Sequence, residues 1–464
     1  MAHKKFRLID AILSIICIVF VCEAAAPAAA IGNSQFFWWI LLIVIFLLPY
    51  GLIVSELAST YDTDGGLYDW VRNAFGDKWG ARVAWYYWVN FPLWVASLAL
   101  MFPATISMLV GAELGVVPTL AIELAFIWIV TFVCFSNASN ATWIFNLTAV
   151  VKVAIAVVVG GLGIWYAATH GLVNPITPAS LLPDFTDVQS ITYLSIILFN
   201  FMGFEVLATF TSEMEDPRVE IPKAIIAGGL AIAAVYLFSS FGISAAVMPS
   251  DVALDAGISD AVAIIAGETS PLFYIVSVAF LATLFGNMIV WSYGVNSVAC
   301  YAAKDGNLPK VFAIEGGKDN MPIGAAVVNG VVASILVILE PVLASLGADG
   351  FFWIFFAMNV VFLLLSYIPM FPAFLKLRKV DPDAERPFVC PGKGIVLKLM
   401  TWVPVILIIL ASIATIVPLD GSEDEMSKIP MLVGAAIFIV LGEVVRIISA
   451  RGREKEFKGI GAGE

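Results

Sequence analysis

Two short stretches interrupt long hydrophobic segments of this chain: Phe20-Val21-Cys22-Glu23-Ala24-Ala25-Ala26-Pro27 and Phe199-Asn200-Phe201-Met202-Gly203-Phe204-Glu205. Each stretch places a carboxylate, together with Gly, Pro or polar residues, inside a segment long enough to cross a bilayer. Interrupted membrane helices expose backbone groups near mid-membrane, where transporters bind their substrates. The two stretches therefore predict broken transmembrane helices that form a binding site.

The composition around these stretches is that of an integral membrane protein. Of the 464 residues, 61% are hydrophobic and only 13% are charged, which is too little charge to cover a water-soluble protein of this length. The apolar runs do not alternate as strands do, so we expect helices and not a barrel. We predict twelve spans, numbered 1 to 12, at 9–31, 36–58, 83–110, 117–137, 141–168, 188–210, 222–247, 272–301, 323–340, 351–375, 399–417 and 430–449.

The Lys and Arg residues lie almost entirely on one side of the predicted membrane. With a cytoplasmic N-terminus, all 24 of them except Lys152 and Lys428 fall in cytoplasmic segments or at the cytoplasmic ends of spans, as the positive-inside rule requires. We therefore expect a multi-pass protein of the cytoplasmic membrane with both termini in the cytoplasm. Because Asp10 and Glu23 interrupt the first apolar run, we expect a retained span there and not a cleaved signal peptide.

Several functional classes find no support in the sequence. The five Cys are scattered without a C-x-x-C pair, and no nucleophile-elbow, metalloprotease or P-loop motif occurs, so we expect no enzyme, no metal site and no cofactor. The acidic pI of about 4.7 argues against a nucleic-acid partner. The expected partners are the lipid bilayer, a small solute and, as one option, protons. The sequence leaves monomer and homodimer open.

The spacing of the two interruptions predicts an internal repeat. Spans 1 and 6 are five helices apart, and this odd number places the second copy upside down in the membrane. We predict a cytoplasmic N-terminus at 1–8, a first repeat at 9–168, an inverted repeat at 169–375, two further spans at 376–449 and a cytoplasmic tail at 450–464.

Four ionisable residues stand out by their depth in the membrane. A charge at mid-bilayer is costly, so Glu23 and Glu205 are expected to face the bundle interior and to mark the substrate pathway. Lys152, in span 5, either exchanges a proton during transport or forms a fixed salt bridge with a carboxylate. Glu56 ends span 2, where a gate or helix-end role is expected.

Four parts of the sequence together resemble one transporter family. They are Ser55-Glu56-Leu57-Ala58-Ser59-Thr60 with Gly65-Gly66-Leu67-Tyr68; Phe201-Met202-Gly203-Phe204-Glu205 with Asp216-Pro217 and Ile221-Pro222-Lys223-Ala224; Tyr301-Ala302-Ala303-Lys304-Asp305-Gly306-Asn307-Leu308-Pro309; and Asn320-Met321-Pro322. Over most of its length the chain resembles the amino acid–polyamine–organocation superfamily. The resemblance implies an all-α membrane protein with the five-plus-five inverted repeat of leucine-transporter-like folds.

The resemblance also implies roles for individual residues. Phe199 stands where arginine/agmatine antiporters have an aromatic residue that caps the substrate, and Trp291 stands where an aromatic residue lines the inner gate. Lys152 resembles a span-5 lysine of proton-coupled members, which fills the position of the sodium site in sodium-coupled relatives and implies coupling without sodium. Lys152 and Glu205 are therefore the expected coupling residues.

One departure from the family pattern bears on the substrate. Amino acid carriers of the family usually have Gly-Ser-Gly in span 1, where bare N–H groups hold the substrate carboxylate, whereas this chain has Cys22-Glu23-Ala24. Glu23 would repel a carboxylate, and together with Glu205 it would face the two positive ends of a diamine. Aromatic rings would pack the methylene chain. The predicted substrate-binding residues are Glu23, Ala24, Tyr87, Trp88, Phe199, Asn200, Met202, Gly203, Glu205 and Trp291.

These features predict a secondary transporter of a small cationic amine, such as putrescine or agmatine, that works by exchange or proton coupling with alternating access. The alternative is a proton-coupled permease for a neutral or aromatic amino acid, in which Glu23 acts only in proton coupling. A channel or a transporter-like sensor is a third class. No pore-filter loop and no soluble signalling domain is visible in the sequence to support it.

Overall fold

The computed structural model of the protein describes residues 7–61, 63, 65–183, 194–253, 257–317, 319–345 and 350–460, without the side chains of residues 23, 139, 210–213, 343, 424 and 454–460. Within these ranges the regular secondary structure is helical throughout, apart from one isolated bridge between Gly316 and Met321. Ten of the described helices are long and apolar enough to cross a bilayer. Together with the two interrupted spans they make up the predicted twelve.

The ten continuous spans overlap their predicted ranges, and most extend a few residues beyond them because helical hydrogen bonding continues past the apolar core of a bilayer. They lie at Gln35–Thr60, Asp77–Val110, Val116–Val133, Asn140–His170, Pro217–Ala246, Pro271–Lys304, Ile323–Val342, Phe351–Val380, Ile395–Ile416 and Ile429–Arg453. Helices Gly66–Phe75 and Gly257–Ala266 follow spans 2 and 7.

Span 1 is broken where the sequence predicts. Its first helix, Leu8–Val19, ends in two extended residues, and the chain resumes as a 3-10 turn at Cys22–Ala24 and a helix at Ala25–Ala29. The residues at the break are β-branched or aromatic, and such residues have low helix propensity. Pro27 lies in the first turn of the second half-helix, where its missing N–H costs no hydrogen bond.

Span 6 is broken at a glycine that brings the two interruptions together. The helix Leu194–Phe199 gives way to a 3-10 helix at Phe204–Glu213. Gly203, between them, has φ +120°, a value that other residues rarely adopt. A Cβ on Gly203 would lie 2.6 Å from the side chain of Ile18 and 2.9 Å from that of Trp291. Only glycine therefore allows span 6 to pack this closely on span 1.

The other spans surround these two interruptions. Span 3 packs along span 10, and span 7 packs against spans 1 and 5. Spans 11 and 12 both contact span 10 and lie outside the ten-helix core. The end of the bundle that carries most of the Lys and Arg residues, predicted to be cytoplasmic, is called the basic end below.

Glu56 closes one part of the basic end. Its carboxylate, with the residue only 2% exposed, accepts hydrogen bonds from Nε of Arg378 at 2.7 Å and from the backbone N–H of Cys390 at 2.7 Å. Nε of Arg386 lies 3.4 Å from Oε1 of Glu56. Glu56 thus ties span 2 to the segment that follows span 10.

A second cluster closes the basic end around Asp77. Arg72 lies 2.8 Å from Asp305 and 3.0 Å from Asp77, and Arg453, on the extension of span 12, lies 2.9 Å from Asp77. Partial burial alone would raise the pKa of Asp77, but hydrogen bonds from Asn307, Arg72 and Arg453 hold it below its ordinary value. The cluster joins the helix Gly66–Phe75, the start of span 3, the end of span 8 and the end of span 12.

Candidate functional site

Glu205 is the carboxylate at the interruption of span 6, and the residue is 1% exposed. The hydroxyl of Tyr50, on span 2, donates a hydrogen bond to its Oε2 at 2.6 Å, and that of Tyr87, on span 3, donates to its Oε1 at 2.8 Å. The hydroxyl of Tyr367, on span 10, lies 3.5 Å from that of Tyr50. Two tyrosines from two spans therefore orient one carboxylate, and a third tyrosine lies next to them.

Glu205 has no ion-pair partner in the part of the chain that the structure describes. Burying a carboxylate is costly unless hydrogen bonds and a counter-charge compensate for the lost water. The tyrosines supply the hydrogen bonds but no positive charge. The arrangement thus suits a group that binds either a proton or a cationic ligand.

Lys152 occupies the interruption of span 1. Its fully buried ammonium group donates to the carbonyl oxygens of Cys17 at 2.6 Å and of Phe20 at 2.5 Å, and to Oδ1 of Asn287 at 2.8 Å. All three donors are therefore used on uncharged acceptors. The salt bridge that was one of the two expectations for Lys152 does not occur among the described residues, and proton exchange by this group stays a prediction.

Two aromatic residues hold further backbone groups of this interruption. Nε1 of Trp291 donates to the carbonyl oxygen of Ile18 at 2.9 Å. The hydroxyl of Tyr236, on span 7, donates to the carbonyl oxygen of Val19 at 2.8 Å and accepts from the N–H of Val21 at 2.7 Å. The unwound backbone is thus held in place by spans 5, 7 and 8.

Aromatic rings connect the two interruptions. Trp94 packs edge-on against Phe199 and Trp291, with ring centroids 5.1 and 5.2 Å apart. Phe199 packs edge-on against Phe356 at 5.5 Å, and the rings of Tyr87 and Trp291 lie 6.5 Å apart. Such rings pack against methylene groups and attract cations to their faces.

Unpaired polar atoms lie on the same spans. Both side-chain amide atoms of Asn200, next to Phe199, and of Asn359, one turn beyond Phe356, lack a hydrogen-bond partner among the described residues, as does Nε1 of Trp94. Buried polar atoms in folded proteins are almost always paired. The two amides therefore offer hydrogen bonds to a polar ligand.

The structure distinguishes between the two adjacent aromatic candidates on span 3. Tyr87 contacts Glu205, whereas the ring of Trp88 packs against Trp85 and Phe312 at 5.2 and 4.8 Å. Neighbouring helical residues point about 100° apart, so only one of the two can face a given site. Trp88 is not brought into the cluster around Glu205.

The remaining predicted residues lie at the interruptions themselves. Ala24 is fully buried in the 3-10 turn of span 1, and Met202 is buried immediately before Gly203. The side chain of Glu23 lies outside the described part of the chain. The predicted residues that the structure joins through direct contacts are thus Tyr87, Gly203, Glu205 and Trp291, and Phe199 is connected to Trp291 through the ring of Trp94.

Sequence reasoning missed three of the tyrosines that matter most, Tyr50, Tyr236 and Tyr367. The ring of a tyrosine inside a transmembrane helix packs among apolar side chains as that of a phenylalanine does. Its hydroxyl nevertheless needs a hydrogen-bond partner when it is buried away from water. A tyrosine at mid-span is therefore a signal that could have indicated these residues.

The chain matches known transporters over nearly its whole length. The family model described as amino acid permease matches residues 6–441. The chain belongs to the amino acid permease family. It is therefore a multi-pass membrane transporter and not an enzyme, and the all-α, twelve-span, leucine-transporter-like fold predicted from the sequence is confirmed.

Its relatives include transporters with amine and amino acid names. A probable agmatine/putrescine antiporter, AguD of Lactococcus lactis subsp. lactis (strain IL1403), is 48% identical over 444 residues, covering 95% of this chain and 94% of that protein. A probable polyamine transporter of Arabidopsis thaliana is 24% identical over 408 residues, covering 87% and 76%. A glutamate/gamma-aminobutyrate antiporter of Lactococcus lactis (strain IL1403) is 22% identical over 419 residues, covering 86% and 82%.

Proposed function

We propose that this family member exchanges small cationic amines, with agmatine and putrescine as the leading substrates. The observation that carries the proposal is Glu205, a buried carboxylate oriented by the hydroxyls of Tyr50 and Tyr87 and without a positive partner in the described ranges. The ammonium of an amine supplies that counter-charge. The 48% identity to a probable agmatine/putrescine antiporter supports the same class of substrate.

The rest of the site suits the remainder of such a molecule. The rings of Trp94, Phe199 and Trp291 provide apolar faces for a methylene chain. The unpaired amides of Asn200 and Asn359 offer acceptor oxygens to a second ammonium or to a guanidinium group. Glu23 is the expected second carboxylate.

The same geometry favours exchange. If the empty site changed its access from one side of the membrane to the other, the carboxylate of Glu205 would stay buried and unpaired during the change, which is costly. A site loaded with an amine or a proton avoids this cost, so transport in one direction is expected to require a cation on the return. Alternating access also requires the clusters around Glu56 and Asp77 to separate, because they close the basic end in this structure.

Lys152 supports transport without sodium. Its ammonium group already occupies the carbonyl oxygens of Cys17 and Phe20 that a metal ion would use. We propose that Lys152 and Glu205 set the coupling and that sodium does not take part. Replacing sodium with choline is expected to leave amine exchange unchanged, and a requirement for sodium would contradict the proposal.

The distribution of Lys and Arg supports the placement of the protein. We propose that it lies in the cytoplasmic membrane with both termini in the cytoplasm, because its basic residues gather at one end of the bundle. Protease accessibility of a C-terminal tag in oriented membrane vesicles tests this orientation.

A counterflow measurement in proteoliposomes tests the proposed substrate. Vesicles loaded with unlabelled putrescine are expected to accumulate labelled putrescine, and external agmatine is expected to compete. Glu205→Gln and Glu23→Gln are each expected to weaken this uptake. Competition by zwitterionic amino acids and none by diamines would select the amino acid permease instead, and full uptake in both variants would remove the diamine hypothesis.

A further inference from the structure

At the interruption of span 1, the first backbone N–H that no longer bonds within the helix donates to a tyrosine hydroxyl. The N–H of Phe20 still donates to the carbonyl oxygen of Ile16 at 3.1 Å, as in a continuous helix. The next N–H, that of Val21, instead donates to the hydroxyl of Tyr236 at 2.7 Å. Val21 immediately precedes the 3-10 turn that begins the second half of the span.

The interruption of span 6 has the same arrangement. The N–H of Met202 donates to the carbonyl oxygen of Phe199 at 2.9 Å. The next N–H, that of Gly203, donates to the hydroxyl of Tyr50 at 3.2 Å. Gly203 in turn precedes the 3-10 helix that begins the second half of span 6.

The two hydroxyls are related by the internal repeat of the fold. Tyr50 lies on span 2 and accepts from the backbone of span 6, whereas Tyr236 lies on span 7 and accepts from the backbone of span 1. Each hydroxyl also donates a hydrogen bond: Tyr236 donates to the carbonyl oxygen of Val19 at 2.8 Å, and Tyr50 donates to Glu205 at 2.6 Å. Because a hydroxyl has one O–H, neither tyrosine has a hydrogen-bond donor left for an anion.

An N–H at the start of a half-helix is where interrupted transporter helices hold the carboxylate of a substrate. We propose that Tyr50 and Tyr236 contribute to specificity by occupying one of the exposed N–H groups at each interruption, so that the site favours amines that lack a carboxylate. The inference rests on the proposed amine exchange and specifies how it discriminates. Putrescine is then preferred to ornithine, and agmatine to arginine, since each pair differs by one carboxylate.

The packing of both rings allows the hydroxyl to be removed alone. The ring of Tyr236 stacks on Trp39 with centroids 4.7 Å apart and meets Phe20 edge-on at 4.8 Å. The ring of Tyr50 stacks on Phe204 at 5.4 Å. A phenylalanine at either position retains these contacts and exposes the N–H.

Displacement of labelled putrescine from the purified protein tests this inference. The quantity measured is the ratio of the ornithine concentration to the putrescine concentration that displaces half of the label. Tyr236→Phe is expected to lower this ratio by about tenfold, the size of one hydrogen bond to a charged group, while putrescine binding stays within about threefold of wild type. Tyr50→Phe is also expected to lower the ratio.

Tyr293→Phe is the matched control. The hydroxyl of Tyr293 is likewise bonded to a backbone carbonyl, that of Val133 at 3.2 Å, and the ratio is expected to stay at the wild-type value. An unchanged ratio in both Tyr236→Phe and Tyr50→Phe would overturn the inference. So would loss of putrescine binding in Tyr236→Phe, since the hydroxyl would then serve amine binding itself. Wild-type protein that binds neither putrescine nor agmatine would overturn the proposed function and, with it, this inference.

Discussion

Lys152 and Glu205 are buried in the same helix bundle with opposite charges, yet they do not form an ion pair. Lys152 donates hydrogen bonds to two backbone carbonyl oxygens at the interruption of span 1 and to Asn287, whereas Glu205 accepts hydrogen bonds from tyrosines. A direct pair would neutralise both groups and leave no charge for a ligand. Their separation leaves a negative group at the interruption of span 6, and this is the basis of the proposed amine site.

Lys152→Met is expected to abolish exchange and to lower the thermal stability of the protein. The substitution retains most of the side-chain length but leaves the carbonyl oxygens of Cys17 and Phe20 without their donor, at a cost of about 1–3 kcal/mol for each unpaired group. The measurements are Tm in detergent and counterflow per unit of folded protein.

Lys428→Met is the control for the loss of a buried lysine. Lys428 bonds to the carbonyl oxygen of Ala414 at 2.8 Å and to Glu425, away from both interruptions. This variant is expected to lose stability but to retain exchange per unit of folded protein. Wild-type exchange in Lys152→Met would refute the role given to Lys152.

Glu56→Gln is expected to open the basic end and to expose Cys390. Burial and the nearby Glu56 carboxylate raise the pKa of the Cys390 thiol to about 12, so little reactive thiolate forms at neutral pH. Without the Glu56 carboxylate, Arg378 loses its ion-pair partner, and the segment after span 10 loosens. Alkylation of Cys390 by N-ethylmaleimide, followed by mass spectrometry, is expected to accelerate by about tenfold.

Glu315→Gln provides the comparison for this experiment. Glu315 pairs with Lys304 at 2.6 Å at the same end of the bundle, and its loss is expected to leave the alkylation rate of Cys390 unchanged. Equal rates in wild type and Glu56→Gln would show that this ion pair does not hold the basic end closed.

Asp77 gives the cluster around it a dependence on pH. Its pKa in the folded protein lies below the ordinary value, so its contribution to stability is present above the unfolded pKa of about 3.9 and is lost as pH falls through the folded pKa. The difference in Tm between wild type and Asp77→Asn, present at pH 7, is expected to shrink below about pH 4. A difference that stays constant down to pH 3 would contradict the role of the charge.

The broken spans could be predicted from sequence because their causes are local. An extended run of β-branched and aromatic residues ends the first half of span 1, and a glycine with φ +120° breaks span 6. The cost of a mid-membrane charge likewise identified Glu205 and Lys152. The boundaries of the two repeats, at 9–168 and 169–375, stay predictions.

The partners of these residues could not be predicted, because they come from distant parts of the chain. Tyr50 is 155 residues from Glu205, and Tyr236 is 215 residues from Val21. Every residue has a backbone carbonyl, so no sequence signal marks the carbonyl oxygens that accept hydrogen bonds from Lys152. The choice between Tyr87 and its neighbour on span 3 depends on how that helix is rotated, which packing decides.

Putrescine binding to Glu205→Gln, compared with Glu123→Gln, tests the central claim most directly. Glu123 is another buried glutamate, on span 4, outside the tyrosine cluster. Removing the Glu205 charge is expected to weaken binding by about 30-fold or more, as for other buried charge pairs, while Glu123→Gln binds like wild type. Equal affinity in Glu205→Gln and wild type would contradict the claim that this carboxylate is the counter-charge of the transported amine.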